Sequence, residues 1–256
     1  MGAGYPVPRL PASPYQRLDG LAAAISAILA VVVLVDVFVY DHLFTQLDYL
    51  QVRQHPRANH LPDRQRFLIW RDWNSTFREW PYAALVGALT ILALIWLVWQ
   101  YEAHTNRRAL GIGDGRFTPW TGIGSWFVPL ANVVLPALAI RELWRTPYAD
   151  ALGLDESERR PPGGIVWAWW TCVVVGVSLT IAAFVVAAVG QQTIDALVHR
   201  NVLLLWALVV SIGAVGLGAY IVHPITWRVL IKRDQVRFPP RWTTWGPERE
   251  RSDVEP

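Results

Sequence analysis

The chain has 256 residues, 53% of them apolar and only 17% charged, whereas a soluble domain of this size carries about a quarter charged residues. Twenty acidic and 23 basic residues leave a net charge of +3, too small and too dispersed for a nucleic-acid surface. The single cysteine, Cys172, excludes an intrachain disulfide and any multi-thiolate metal site, so the composition is that of an all-α integral membrane protein.

Residues 1–20 hold Pro6, Pro8, Pro11 and Pro14 and are predicted to form a mobile, extended tail, with partner binding through Pro8-x-x-Pro11 as the alternative. Leu21 to Tyr40 is interrupted only by Asp36 and is roughly 30 Å long as a helix, one hydrocarbon thickness. With no small-residue cleavage pattern after it, this span is expected to stay as an uncleaved anchor. Four residues separate Asp36 from Tyr40, about one turn, so it either reaches the headgroups or couples ions within the membrane.

Asp41 to Glu79 is too long for an unstructured turn. Within it Phe67, Trp70, Trp73, Phe77 and Trp80 recur at helical spacing, which predicts an interfacial amphipathic helix after Pro62-Asp63. A second span over 81–101 is flanked by Trp80 and Tyr82 at one end and by Trp96, Trp99 and Tyr101 at the other. Gly111-x-Gly113-x-Gly115 follows a membrane helix rather than a strand and is read as a turn, not a phosphate loop.

The segment 119–140 is long and apolar enough to cross, yet it contains Pro119, Pro129 and Pro136, each an obstacle of about 3 kcal/mol inside a helix. It is predicted to be a broken, membrane-embedded segment packed against the other helices, with Asn132 placed to satisfy carbonyls that the prolines release. A third span over 165–189 opens with Trp167, Trp169 and Trp170, and a fourth over 202–222 ends at His223-Pro224. Ala207, Ser211, Gly213, Gly216 and Gly218 give the fourth a small-residue surface for another helix or a second copy of the chain. Arg228, Lys232, Arg233 and Arg237 form a basic, lipid-facing juxtamembrane helix, and 238–256 is expected to be disordered.

Charge settles half of the topology. The loop from Arg141 to Gly164 has four Arg and the tail after Val222 seven basic residues, against Arg200 alone in the turn between the last two spans, so loop and tail read as cytoplasmic. If the broken segment returns to its own side, the N-terminus is inside and the count is 16 against 7; if it crosses, the N-terminus is outside and the count is 17 against 6. The count does not separate the two, and the proline load favours return.

Chemistry is sparse. No nucleophile elbow, no H-E-x-x-H and no G-K-S or G-K-T occurs, and His55 and His60 are five apart with Pro56 between them, so no catalytic residue, metal ligand or cofactor is assigned.

One resemblance remains. Asn106, Phe117-Thr118-x-Trp120, Gly124-Ser125-Trp126-Phe127-Val128-Pro129-x-x-Asn132, Pro136 and Arg141-Glu142-Leu143-Trp144-Arg145 together resemble an actinobacterial membrane-protein domain of unknown function. The likeness covers roughly 18–237, with its core in Trp-Phe-x-Pro-x-x-Asn. It implies a multi-span cytoplasmic-membrane protein with an inside N-terminus and supplies no activity. The tail departs from it, being short and without long Pro/Gly/Gln tracts.

The expected function is a non-enzymatic one in binding or scaffolding, centred on a polar recess formed by Asn106, Trp120, Trp126, Phe127, Pro129, Asn132, Pro136 and Trp144. The alternative is a transporter or channel component using Asp36 and the discontinuous segment, and a membrane-embedded enzyme ranks third. Membrane lipids are the expected partners, with a protein partner or a second copy of the chain at the small-residue surface.

Overall fold

The structure, a computed structural model, describes residues 17–54, 80–110, 115–145, 163–190 and 193–237. Every regular element among them is helical: α1 (Asp19–Gln54), α2 (Trp80–Ala109), α3 (Pro119–Gly124), a 3-10 turn (Ala131–Val133), α4 (Leu135–Arg145), α5 (Gly164–Val189) and α6 (Ile194–Arg237). Four of them, α1, α2, α5 and α6, are long and apolar enough to cross a membrane. The expected interfacial helix before Trp80, the tail at 1–16 and the segment at 238–256 lie outside the described residues.

Two of the four helices outrun the spans read from hydropathy. α1 continues past Tyr40 to Gln54, because Leu43, Leu47 and Leu50 recur at helical spacing and stay buried, so packing carries the helix on. Asp36 therefore stands 17 residues from Asp19 and 11 from Leu47, the ends of the apolar stretch, and not one turn from a helix end. In α6, Pro224 does not end the helix. It removes one backbone bond, yet Val222, Ile225 and Val229 on either side are fully buried, and that packing holds the helix through the proline.

Cross-chain pairs fix the bundle. Ser26 meets His223, Asp36 meets Ser211 and Gln46 meets Asn201, so positions rising along α1 face positions falling along α6 and the two are antiparallel. One core cluster gathers Leu18 and Ile25 of α1, Trp99 and Ala103 of α2, Ile140 and Trp144 of α4, Val166 and Trp169 of α5, and Ile225 and Val229 of α6. A second, around Val35, Val39, Leu43 and Leu208 with Tyr82 and Leu85, lies further along α1 and near the start of α2. The last turns of α2 and the first turns of α5 thus share the end of the bundle that carries the chain's first described residues, and the stretch 115–145 leaves and returns there.

That stretch folds as a hairpin. Thr118 caps α3 through a reciprocal capping box with Thr121, and Pro119 takes the first helical position, where its missing N–H is harmless. At the bend, the N–H of Ala131 donates to the Pro129 carbonyl at 2.7 Å across Leu130, whose φ of 64° and ψ of −43° make a γ-turn of the rare positive-φ kind.

Candidate functional site

The inner side of the hairpin rests on polar side chains of α2. Gln100 and His104 are four residues apart, hence on one face, and both are buried. Gln100 Nε2 donates to the Gly122 carbonyl at 3.0 Å and its Oε1 accepts the indole N–H of Trp126 at 2.9 Å, so both ends of the amide are engaged. Ser125 Oγ donates to the same carbonyl at 2.6 Å. A Cβ on Gly122 would lie 3.0 Å from Cδ2 of His104, so the missing side chain is what lets α3 close down on the imidazole. His104 is 2% exposed, and neither ring nitrogen has a hydrogen-bond partner.

Tryptophans wall this region. Trp126 meets Trp170 edge-on at 5.5 Å, and Trp170 donates its N–H to the Val133 carbonyl at 2.5 Å. Trp96 stacks on Trp169 at 5.1 Å, and Trp99 donates to Thr226 Oγ1 at 3.1 Å. At the hairpin's far limb, Arg228 lies 5.0 Å over the Trp144 ring and donates to the Trp144 carbonyl at 3.0 Å.

Glu142 of α4 ties the entry of the hairpin to its exit. Its carboxylate pairs with the guanidinium of Arg107 and accepts the N–H of Arg116 at 3.1 Å and of Phe117 at 3.4 Å. A Cβ on Gly115 would overlap both the guanidinium and the carboxylate, so a larger residue there would push this ion pair aside.

The residues expected to line a recess divide. Asn106, Pro136 and Trp144 are buried and Trp126 is half-buried, all on the inner side. Trp120, 72% exposed, Phe127, 69% exposed, Pro129 and Asn132 face outward. The carbonyl served at the bend is that of Val133, and Trp170 rather than Asn132 serves it. Gln100, His104 and Ser125 are buried on the inner side and did not stand out in the sequence; their signal is the polar i, i+4 pair at the very end of an apolar span.

A second polar set lies between α1 and α6. Ser211 Oγ donates to Asp36 Oδ2, and Asp36 Oδ1 is buried without a partner. Towards the other end of the bundle, Asn201 Nδ2 donates to Gln46 Oε1 at 3.0 Å and His42 Nε2 lies 3.0 Å from Gln46 Nε2. Of the small residues of α6, Gly213 lies under Cys172, Gly218 under Trp169, Ala207 beside Gly176 and Ser211 on Asp36, while a Cβ on Gly216 would meet open space. Lys232 and Arg233 are half-buried, and the side chain of Arg237 is outside the described residues. Among the described residues no three of His, Cys, Asp and Glu gather where they could hold a metal.

A family model described as a domain of unknown function (DUF4328) matches residues 72–227, more than half of the chain. No curated protein and no solved structure matches it.

Proposed function

We propose, on the premise that this chain belongs to the DUF4328 family, that it is a cytoplasmic-membrane protein whose hairpin 115–145 is re-entrant and covers a polar, Trp-lined recess used for binding or scaffolding. Both termini are cytoplasmic in this reading. Charge supports that orientation: among residues with described side chains, nine Arg and Lys lie at the end of the bundle where the hairpin enters and leaves, against Arg200 alone at the other. Depth supports the re-entrant placement. Gln100 stands nine residues from the end of α2 and Trp170 six from the start of α5, about 14 Å and 9 Å along the axis, and both hold the bend.

The observation that carries the binding role is His104, a buried imidazole with a donor and an acceptor both open beneath a short helix that the Gln100 amide ties to α2. Affinity capture in mild detergent tests it. A consistent partner that is lost with His104→Phe and with Trp126→Ala, and kept with Asp36→Asn, supports the recess; a partner set indifferent to all three argues against it.

A transport role is the second reading, favoured by one observation: Asp36 is buried far from either end of α1's apolar stretch with one carboxyl oxygen open. Proton or cation flux into proteoliposomes that disappears with Asp36→Asn supports it, and no flux under several imposed gradients counts against it.

A further inference from the structure

The outer face of α4 passes from apolar to basic. Val134, Leu138, Arg141 and Arg145 follow at spacings of four, three and four, which sets them on one side of the helix. Val134 is exposed, Leu138 and Arg141 are half-buried and Arg145 is exposed, while Pro136, Ala137, Ile140 and Leu143 are buried in the bundle. Beyond Val134, at the bend, Leu130 is exposed as well.

The two arginines lack an anion. Arg141 Nε is buried without a hydrogen-bond partner, and no carboxylate among the described residues pairs with Arg141 or Arg145. Glu142, the adjacent acid, is engaged by Arg107 and by the N–H groups of Arg116 and Phe117. Arg145 is steadied against Gly163, where a Cβ would fall 2.6 Å from Nη2. Arg141 stands four residues below the end of α4, about 6 Å, the depth of lipid phosphates if that end meets the membrane surface. A partly buried guanidinium favours a nearby counter-charge, and among the described residues no carboxylate is paired with either arginine.

We infer that this face seats one anionic phospholipid, with the phosphate between Arg141 and Arg145 and an acyl chain along Leu138, Val134 and Leu130. Guanidinium forks match phosphate oxygens in pairs. Two such cations, with no acid paired to them among the described residues, select against a headgroup that brings its own ammonium. The inference rests on the hairpin being re-entrant, as proposed above, with the end of α4 at headgroup depth, and not on the recess beneath it.

The test uses full-length protein in nanodiscs of phosphatidylcholine with a minor share of phosphatidylglycerol, with bound lipid counted by native mass spectrometry. Phosphatidylglycerol is retained preferentially, and Arg141→Gln with Arg145→Gln lowers the preference by about tenfold, the loss of one charge-assisted contact. The corresponding Lys variants keep most of it, and Arg17→Gln, at an exposed arginine already paired with Asp19, leaves it unchanged. Equal retention of both lipids by the native chain, an undiminished preference in the Gln variant, or displacement by millimolar inorganic phosphate overturns the assignment. Thermal unfolding with added phosphatidylglycerol gives a second readout: it stabilises the native chain and not the Gln variant. Discs expose both faces, so the lipid count stands or falls independently of which side the termini occupy, and independently of partner capture at the recess.

Discussion

The indole N–H of Trp126 reaches Gln100 on α2 at 2.9 Å, and Gln100 in turn donates to the carbonyl of Gly122 on α3. One amide therefore holds both the short helix and the start of the bend. Trp126→Phe keeps most of the ring contact with Trp170 and removes the donor, leaving the Gln100 oxygen buried and unpaired. The expected cost is about 1–3 kcal/mol, read as a lower unfolding temperature in detergent together with faster amide exchange over 122–134. Unchanged exchange there contradicts the role given to Gln100.

At the bend, Leu130 carries a positive φ and is 89% exposed, so its side chain gives little back for the strained backbone. Glycine adopts that conformation freely. Leu130→Gly is expected to stabilise the protein by about 1 kcal/mol, the strain relieved less the extra chain entropy of glycine. A melting temperature equal to or below that of the native chain refutes the strain.

Much of this architecture was legible in the sequence, and the illegible part has a physical cause. Four spans announce themselves because a bilayer demands about 20 apolar residues in a row. Hydropathy alone does not place a helix end: buried packing carries α1 past Tyr40 through Leu43, Leu47 and Leu50, and α6 through Pro224. The recess shows the same limit. Residue type grouped Trp120, Phe127 and Asn132 with Trp126 and Trp144, but the bend turns the first three outward, and a γ-turn at a leucine leaves no trace in composition.

Topology is open to direct labelling. With Cys172→Ser as background, Ser13→Cys is expected to resist a membrane-impermeant maleimide in intact cells and Ser75→Cys to react. The expectation rests on the charge imbalance at the hairpin end, which under the positive-inside rule favours the cytoplasm for that end. Labelling at Ser13→Cys from outside inverts the orientation, and with it the side on which the recess opens.

Asp36 and Ser211 make the sharpest energetic test, because the carboxyl is 2% exposed and the hydroxyl is the one donor to it among the described residues. Ser211→Ala strips that donor and leaves a polar group buried alone, at a cost of about 1–3 kcal/mol. If the cost is the orphaned carboxyl and not a lost packing contact, removing the carboxyl as well must return it. Asp36→Val on the Ser211→Ala background, close in volume and apolar, is therefore expected to melt near the native temperature, since replacing both partners of a buried pair is close to neutral. A double variant no more stable than Ser211→Ala alone shows that the pair is not what holds α1 against α6 at this level.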